Sequence, residues 1–87
     1  MPKGKVSKVV DGDTFKISKG PYVRLANVDA PEMSRKGGAQ AKHELEDIID
    51  GKTVNYNPVG KSYGRIVAKV NIGGKSVNGS IRRKGYK

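Results

Sequence analysis

The fold of this chain is decided by one stretch, residues 22–32, which reads YVRLANVDAPE. Its first residues alternate between two faces, so residues 22–28 are predicted to form a strand. Arg24 shares its strand face with Tyr22 and small uncharged neighbours rather than with lysines. Pro31 closes the strand region, because a proline cannot donate to a sheet ladder. The stretch therefore predicts a strand that carries an arginine and brings Asp29 and Glu32 to a sheet edge.

Two further predicted strands precede this stretch. Residues 5–10 are rich in valine, and residues 14–18 place Phe15 and Ile17 on one face, which is typical of half-buried strands. The tripeptide Asp11-Gly12-Asp13 between them has the composition of a tight turn. We therefore expect the first third of the chain to form a three-stranded meander.

Residues 39–50 contain the clearest helical pattern. Ala41, Leu45, Ile48 and Ile49 fall on one face of a 3.6-residue period, and Gly51 suits the position after a helix end. The charged side chains of the segment are interpreted as its solvated face; they are His43, Glu44, Glu46 and Asp47.

Two more strands and a short helix are predicted after the central helix. Residues 53–59 form a strand that Pro58 marks as an edge or an end, and residues 65–72 form the next one. Residues 77–84 are compatible with a short final helix. The chain is therefore predicted to be a single domain, residues 1–87, of the mainly β (α+β) class. We expect a five-stranded Greek-key barrel of the OB type with one central helix and a short C-terminal helix.

The charge of the chain points to a polyanionic partner. Its 18 lysines and arginines outnumber 8 acidic residues and give a formal net charge of +10. In so small a domain this charge attracts nucleic acid, although lysines also serve solubility alone. A membrane partner is disfavoured, because the sequence has neither an apolar span nor a basic amphipathic helix with a broad apolar face.

The composition also limits the kinds of metal site and the cellular compartment that we expect. The chain contains no cysteine, which excludes disulfides and thiolate-bound zinc. Its basic N-terminus is not followed by the apolar run of a signal peptide. We expect a cytoplasmic monomer if the chain is complete, and a secreted protein if a leader was removed.

The acidic residues are scarce and lie beside turns. Asp11 and Asp13 follow the first predicted strand, and Asp29 follows the third. In a meander these two points lie on the same edge of the sheet, where Asp13 and Asp29 can converge as oxygen ligands for a hard cation such as Ca²⁺. Each aspartate is also explained as an ordinary turn residue, so the residues alone leave both readings open.

Arg24 and Arg65 are the candidate phosphate-binding residues. A guanidinium binds phosphate in a bidentate manner and keeps its charge, which suits a site where negative charge develops on phosphorus. The alternative is a pair of exposed arginines on a basic barrel.

Three segments resemble the signature blocks of the staphylococcal nuclease (thermonuclease) family. They read VVDGDTF at residues 9–15, VRLANVDAPE at residues 23–32 and YGR at residues 63–65, in the order the family has them. The similarity extends over residues 6–85. It implies a nuclease that hydrolyses phosphodiester bonds of DNA and RNA with little sequence specificity, acting on single-stranded or frayed regions.

The resemblance also implies roles for individual residues. Asp13, Asp29 and the backbone carbonyl of Ala30 match Ca²⁺ ligands, and Asp11 matches an acidic residue just outside them. Arg24 and Arg65 match the arginines that grip the scissile phosphate, and Glu32 matches the general base. Tyr63 matches a nucleotide-binding tyrosine, and Lys61 stands one place before the position of a nucleotide-binding lysine, which is Ser62 here.

The chain is identified as a short form of that family, since it ends at Lys87, ahead of the family's third helix. Three hypotheses remain: a Ca²⁺-dependent nuclease, a non-catalytic nucleic-acid-binding module of the same fold, and a domain that docks on a protein partner. The presence of Asp13, Arg24, Asp29, Glu32 and Arg65 together favours the nuclease.

Overall fold

The first three strands form the predicted meander. A computed structural model describes residues 2–87. In it β1 (Lys3–Asp11), β2 (Thr14–Ile17) and β3 (Tyr22–Leu25) pair antiparallel in sequence order. Val6, Val9, Phe15, Ile17, Val23 and Leu25 of these strands are buried, as the alternation predicts, whereas Tyr22 is exposed.

The rest of the chain completes a curled sheet. Helix α1 (Gly38–Ile49) is followed by β4 (Thr53–Ser62), β5 (Arg65–Ile72), the two-residue β6 (Lys75–Ser76) and α2 (Val77–Arg83). The strand order is β3-β2-β1-β4-β5-β6, and β3 also pairs in parallel with β5. This extra pairing curls the sheet back on itself, so the prediction of an OB-type α+β fold is confirmed.

The core lies inside the curled sheet and under the two helices. Helix α1 buries Ala41, Leu45 and Ile49, as its period predicts, and packs on β1. Ile48 of the same predicted face is only partly buried against the core. Helix α2 buries Val77 and Ile81 and packs on β5. No helix among residues 2–87 has the length and apolarity that crossing a bilayer requires.

Most element ends agree with the prediction within one or two residues, and three larger differences each have a local reason. Strand β3 ends at Leu25 rather than at residue 28, because Asn27 adopts a left-handed conformation with φ 60°. Strand β4 continues through Pro58 to Ser62, since only residues 53–55 pair with β1 and the proline faces no second neighbour. The sheet has six strands rather than five, because the turn at Gly73 and Gly74 allows a short β6.

Asn78 fixes the position of the chain where it leaves β3. Its side chain is buried, accepts from the Val70 N–H (2.8 Å), and donates to the carbonyls of Ala26 (2.8 Å) and Ala68 (3.1 Å). These three bonds join α2 to β5 and to the end of β3. The loop that carries Asp29 therefore starts from a rigid point.

One charged residue of α1 departs from the solvated-face interpretation. The Oε2 atom of Glu44 is buried and has no hydrogen-bond partner within residues 2–87. The carboxylate lies near the Tyr86 hydroxyl, and it is the main reason that the pKa of Tyr86 is raised. The interpretation was wrong for Glu44, because the last residues of the chain cover that part of the helix.

Candidate active site

An open cavity of about 770 Å³ collects residues from four parts of the chain. They come from the β1–β2 turn, from β3 and the loop after it, from the start of the segment that leads into α1, and from the β4–β5 hairpin. The lining residues are Asp11, Asp13, Arg24, Asp29, Ala30, Pro31, Glu32, Arg35, Lys36, Ser62, Tyr63 and Arg65.

Close packing holds the β1–β2 turn. The Asp13 N–H donates to Oδ1 of Asp11 (3.1 Å), which closes an Asx-type turn. A Cβ atom on Gly12 would lie 2.6 Å from the Cβ of Ala41 and 2.7 Å from that of Ala30. Only glycine lets the turn fit between α1 and the loop after β3, so the two aspartates are held in place from both sides.

The Asp13 carboxylate is the best-anchored group of the cavity. The residue is only 6% exposed. Its Oδ1 accepts from the Thr14 hydroxyl (3.0 Å), and its Oδ2 accepts from the Ala30 N–H (3.3 Å) and from Nη2 of Arg24 (3.5 Å). A carboxylate has about four lone-pair directions, so these donors leave room for a further partner.

A chain of hydrogen bonds runs from Arg65 through Thr14 and Asp13 to Arg24. Nη1 of Arg65 donates to the Thr14 hydroxyl (3.3 Å), which itself donates to Asp13. Arg24 is also fixed by the carbonyls of Leu25 (3.4 Å) and Val28 (3.1 Å). Sequence reasoning did not assign Thr14 to the site. Its position beside Asp13 was the only available signal, because a buried strand threonine is unremarkable.

The loop after β3 delivers Asp29 and Glu32. Asp29 is exposed, and its N–H donates to the Tyr86 carbonyl (3.4 Å), so the end of the chain holds the loop. Glu32 is exposed, while its carbonyl accepts from the Arg35 N–H (2.9 Å). A Cβ atom on Gly38 would lie 2.7 Å from the carbonyl carbon of Glu32. The start of α1 therefore approaches the Glu32 backbone as closely as glycine allows.

The β4–β5 hairpin brings in Tyr63 and Arg65. Tyr63 and Gly64 both have positive φ, 50° and 77°, as a two-residue hairpin turn of type I′ requires. Tyr63 is 96% exposed at the tip, and Arg65 follows at the start of β5. Lys61 is exposed opposite Ile66 and does not line the cavity, whereas Ser62 does. The binding role of Lys61 stays a prediction without a contact to support it.

The cavity contains four acidic and four basic side chains, and the pKa of one of the acidic groups, Asp11, is shifted. Burial, reinforced by the neighbouring Asp13 carboxyl, raises the pKa of Asp11 to about 6. Arg35 and Lys36 also line the cavity. The sequence did not single them out, because they lie in what reads as a polar loop.

The donors of the cavity suit a hard cation. Asp13, Asp29 and Ala30 line the same space. Carboxylate and backbone carbonyl oxygens are the ligands that Ca²⁺ prefers. Over residues 2–87, no three acidic or histidine side chains are grouped closely enough to hold a metal by themselves. A cation bound here therefore needs backbone carbonyl or water oxygens besides the carboxylates.

A small basic chain with an OB-type α+β fold, and with carboxylates and arginines in one cavity, defines a class of candidate phosphodiester-binding proteins. Comparison with known families narrows this class, since the profile described as staphylococcal nuclease homologue matches residues 22–87. The chain belongs to the staphylococcal nuclease family, and the resemblance seen in the sequence is confirmed.

Individual relatives agree with this family. The chain is 34% identical over 87 residues to an uncharacterised endonuclease of Escherichia coli, matching 94% of this chain and 57% of that protein. It is 36% identical over 86 residues to an uncharacterised endonuclease of Haemophilus influenzae, matching 93% of this chain and 48% of that protein. A micrococcal nuclease of Shigella flexneri is 37% identical over 49 residues, matching 53% of this chain and 28% of that protein. The chain thus spans about half the length of the endonucleases it matches.

Proposed function

We propose that this domain is a Ca²⁺-dependent endonuclease that hydrolyses phosphodiester bonds of DNA and RNA with little sequence preference. The observation that carries the proposal is the single cavity lined by Asp13, Arg24, Asp29, Glu32 and Arg65. The names of the relatives support the reaction class. The net charge of +10 supports a polyanionic substrate.

The carboxylates of the cavity have the task of holding the cation. Asp13 and Asp29, with the Ala30 carbonyl, are the residues that would bind it; Ca²⁺ when bound offsets the negative charge of the phosphate. Asp13 is preorganised for this by its bonds to Thr14 and to the Ala30 N–H. Asp29 is exposed and easily reached from solvent.

The arginines have the task of holding the phosphate. Arg24 donates to the Asp13 carboxylate, and Arg65 donates to the Thr14 hydroxyl, which is itself bonded to Asp13. Donors fixed in this way stabilise the extra charge on the phosphoryl oxygens as phosphorus becomes five-coordinate. Their bonds to Asp13 and Thr14 are long, 3.5 Å and 3.3 Å, and can be exchanged for shorter bonds to phosphate.

Glu32 has the task of accepting the proton of the attacking water. Glu32 is exposed and lines the cavity, while its backbone carbonyl accepts from the Arg35 N–H. As the water oxygen bonds to phosphorus, Glu32 takes its proton, and the bond from phosphorus to the leaving oxygen breaks. A general base held by its backbone keeps its position without being buried.

The proposal is tested by digesting supercoiled plasmid and RNA with the purified protein, with Ca²⁺ or with excess chelator. We expect cleavage of both substrates with Ca²⁺ and none with chelator. Glu32→Gln protein purified in parallel controls for contaminating nucleases. Full activity in chelator would refute the metal dependence. Binding without cleavage under every condition would favour the non-catalytic module.

A further inference from the structure

We propose that the outer face of the β1–β3 meander holds a second contact site for the nucleic acid, formed by Lys8, Lys16 and Tyr22. We call these residues the outer triad. The inference rests on the proposed nuclease function. It adds a position for the part of a single nucleic-acid strand that extends beyond the cavity. None of the three residues lines that cavity.

The outer triad is one row across three strands. Lys8 of β1 lies opposite Lys16 of β2, and Lys16 lies opposite Tyr22 of β3. Both ammonium groups lie 5.8 Å from the centroid of the Tyr22 ring. Tyr22 is 38% exposed and Lys8 is exposed, so the row faces solvent.

The repulsion within this row destabilises the protein when no nucleic acid is bound. Like charges directly opposite each other on neighbouring strands repel. The attraction between a cation and an exposed aromatic ring contributes only about 0.5–1 kcal/mol of stabilisation. Lys16 is nevertheless held in the row, because its ammonium group donates to the carbonyls of Ile17 (3.2 Å) and Gly20 (3.3 Å). An anion placed between the two lysines would relieve their repulsion, which indicates a phosphate partner.

The row is continuous with the cavity. Tyr22 and Arg24 lie two residues apart on β3 and therefore point to the same face of the sheet. Two residues of a strand span about 7 Å, which is about two stacked nucleotides at ~3.4 Å each. A strand whose phosphate is held at Arg24 reaches the outer triad within a few nucleotides.

The chemistry of the row selects single-stranded nucleic acid. Proteins that bind single strands combine cations along the backbone with aromatic rings on which bases stack. A base can stack on Tyr22 only when it is unpaired. The meander strands carry five basic residues and one acidic residue, Asp11, which lies at the cavity end. The face is therefore positive up to the edge of the site.

The lysine part is tested by the salt dependence of binding to a single-stranded thymidine oligonucleotide about 12 nucleotides long, in excess chelator. Lys8→Gln should weaken binding and make the slope of log K against log salt shallower by about 0.7, the value for one lost phosphate contact on a single strand. Lys75→Gln removes the same charge from β6, at the other end of the strand order, and is expected to keep the wild-type slope. Equal slopes in the two variants would overturn the proposal.

The aromatic part is tested with Tyr22→Leu and Tyr22→Phe. Loss of the ring should weaken binding of the same oligonucleotide about tenfold, the size typical of one lost base stack, and phenylalanine should restore it. On an abasic oligonucleotide of equal length, Tyr22→Leu should match the wild type, because no base remains to stack. An equal loss on both oligonucleotides would overturn the stacking role. Circular dichroism melting of each variant controls for misfolding.

The outcomes separate this inference from the proposed function. Wild-type protein that cleaves nucleic acid while Lys8→Gln and Lys75→Gln behave alike refutes the outer triad and leaves the nuclease standing. Wild-type protein that binds through Lys8 and Tyr22 but never cleaves refutes the nuclease and supports the outer triad. Wild-type protein that neither binds nor cleaves refutes both.

Discussion

The Arg24 guanidinium and the Asp13 carboxylate lie 3.5 Å apart, where the turn before β2 meets β3. In the proposed reaction they have different partners, since Asp13 holds the cation and Arg24 holds the phosphate. Without ligands each offsets the charge of the other, which lowers the cost of keeping a 6%-exposed aspartate in the fold. Substitutions at these two positions therefore affect stability as well as activity, and controls must separate the two effects.

Asp29→Asn and Asp13→Asn should both weaken Ca²⁺ binding, but only the second should destabilise the protein. Asp13 accepts hydrogen bonds from Thr14, Arg24 and the Ala30 N–H. The NH₂ group of an asparagine there would face some of these donors, which lowers the free energy of unfolding by about 1–3 kcal/mol. Asp29 is exposed, and its substitution should cost about 0.5 kcal/mol or less. Calorimetric titration with Ca²⁺ and thermal melting measure the two effects. Wild-type Ca²⁺ affinity in Asp29→Asn would remove Asp29 from the ligand set.

Arg24→Lys should slow cleavage by about a hundredfold, although the charge is kept. A lysine loses the planar fork and cannot reproduce the bonds to Asp13, Leu25 and Val28 at once. The loss of one preorganised donor to the transition state typically has this size. Single-turnover rates at saturating Ca²⁺ give the measurement, with melting temperature as the control. Turnover close to wild type would show that Arg24 has no special role.

Glu32→Gln should reduce turnover by about a hundred- to ten-thousandfold and leave Ca²⁺ and oligonucleotide binding nearly unchanged. The amide is almost isosteric but cannot take the proton from water. Because Glu32 is exposed, the stability of the fold should not change. Cleavage assays, calorimetry and melting curves on the same preparation provide the comparison. Cleavage at the wild-type rate would mean that another group acts as the base.

Gly38→Ala should reduce turnover by displacing Glu32. The new Cβ atom would clash with the Glu32 carbonyl oxygen and would lie 2.7 Å from its carbonyl carbon, and relieving such overpacking costs about 1–3 kcal/mol. Gly60→Ala is the matched control, because nothing lies within 4 Å of the Cβ atom that it adds. Melting curves and initial rates of both variants measure the effect. Equal rates in both variants would show that the loop does not depend on this close approach.

Asp11→Asn should raise the melting temperature near pH 7.5, where Asp11 is ionised. The folded-state pKa of about 6 lies above the ordinary value of 3.8, because burial and Asp13 disfavour the charged form. The stability from the protonated group is full below pH 3.8 and is lost as the pH rises through 6. Because solvent screens a half-buried group, removing the charge should raise the melting temperature by only a few degrees at the higher pH and by little near pH 4.

Melting curves between these pH values, in chelator, provide the test. Saturating Ca²⁺ should shrink the difference, since a nearby cation favours the ionised aspartate. A difference that does not vary with pH would show that Asp11 is not the titrating group.

The sequence predicted the topology, because alternating strands and one amphipathic helix each have a period that can be read directly. The resemblance to the family's motifs also assigned five residues to one site, and all five line the cavity; they are Asp13, Arg24, Asp29, Glu32 and Arg65. The sequence did not predict the end of β3, since the left-handed turn at Asn27 depends on the packing around it. Thr14, Gly38 and the buried Glu44 carboxylate were missed for the same reason, because their roles come from neighbours far away in the chain.

The hydrogen bond from the Asp29 N–H to the Tyr86 carbonyl makes the loop that carries Asp29 depend on a residue far later in the chain. A polypeptide is made from its N-terminus, and domains fold as units during synthesis. A growing chain that already contains Asp13, Asp29 and Glu32 still lacks Arg65 and the Tyr86 anchor. The residues proposed to bind the cation and the attacking water are therefore made first, and Arg65 and the anchor of the Asp29 loop come later. The proposed site cannot be complete before Tyr86 has been made.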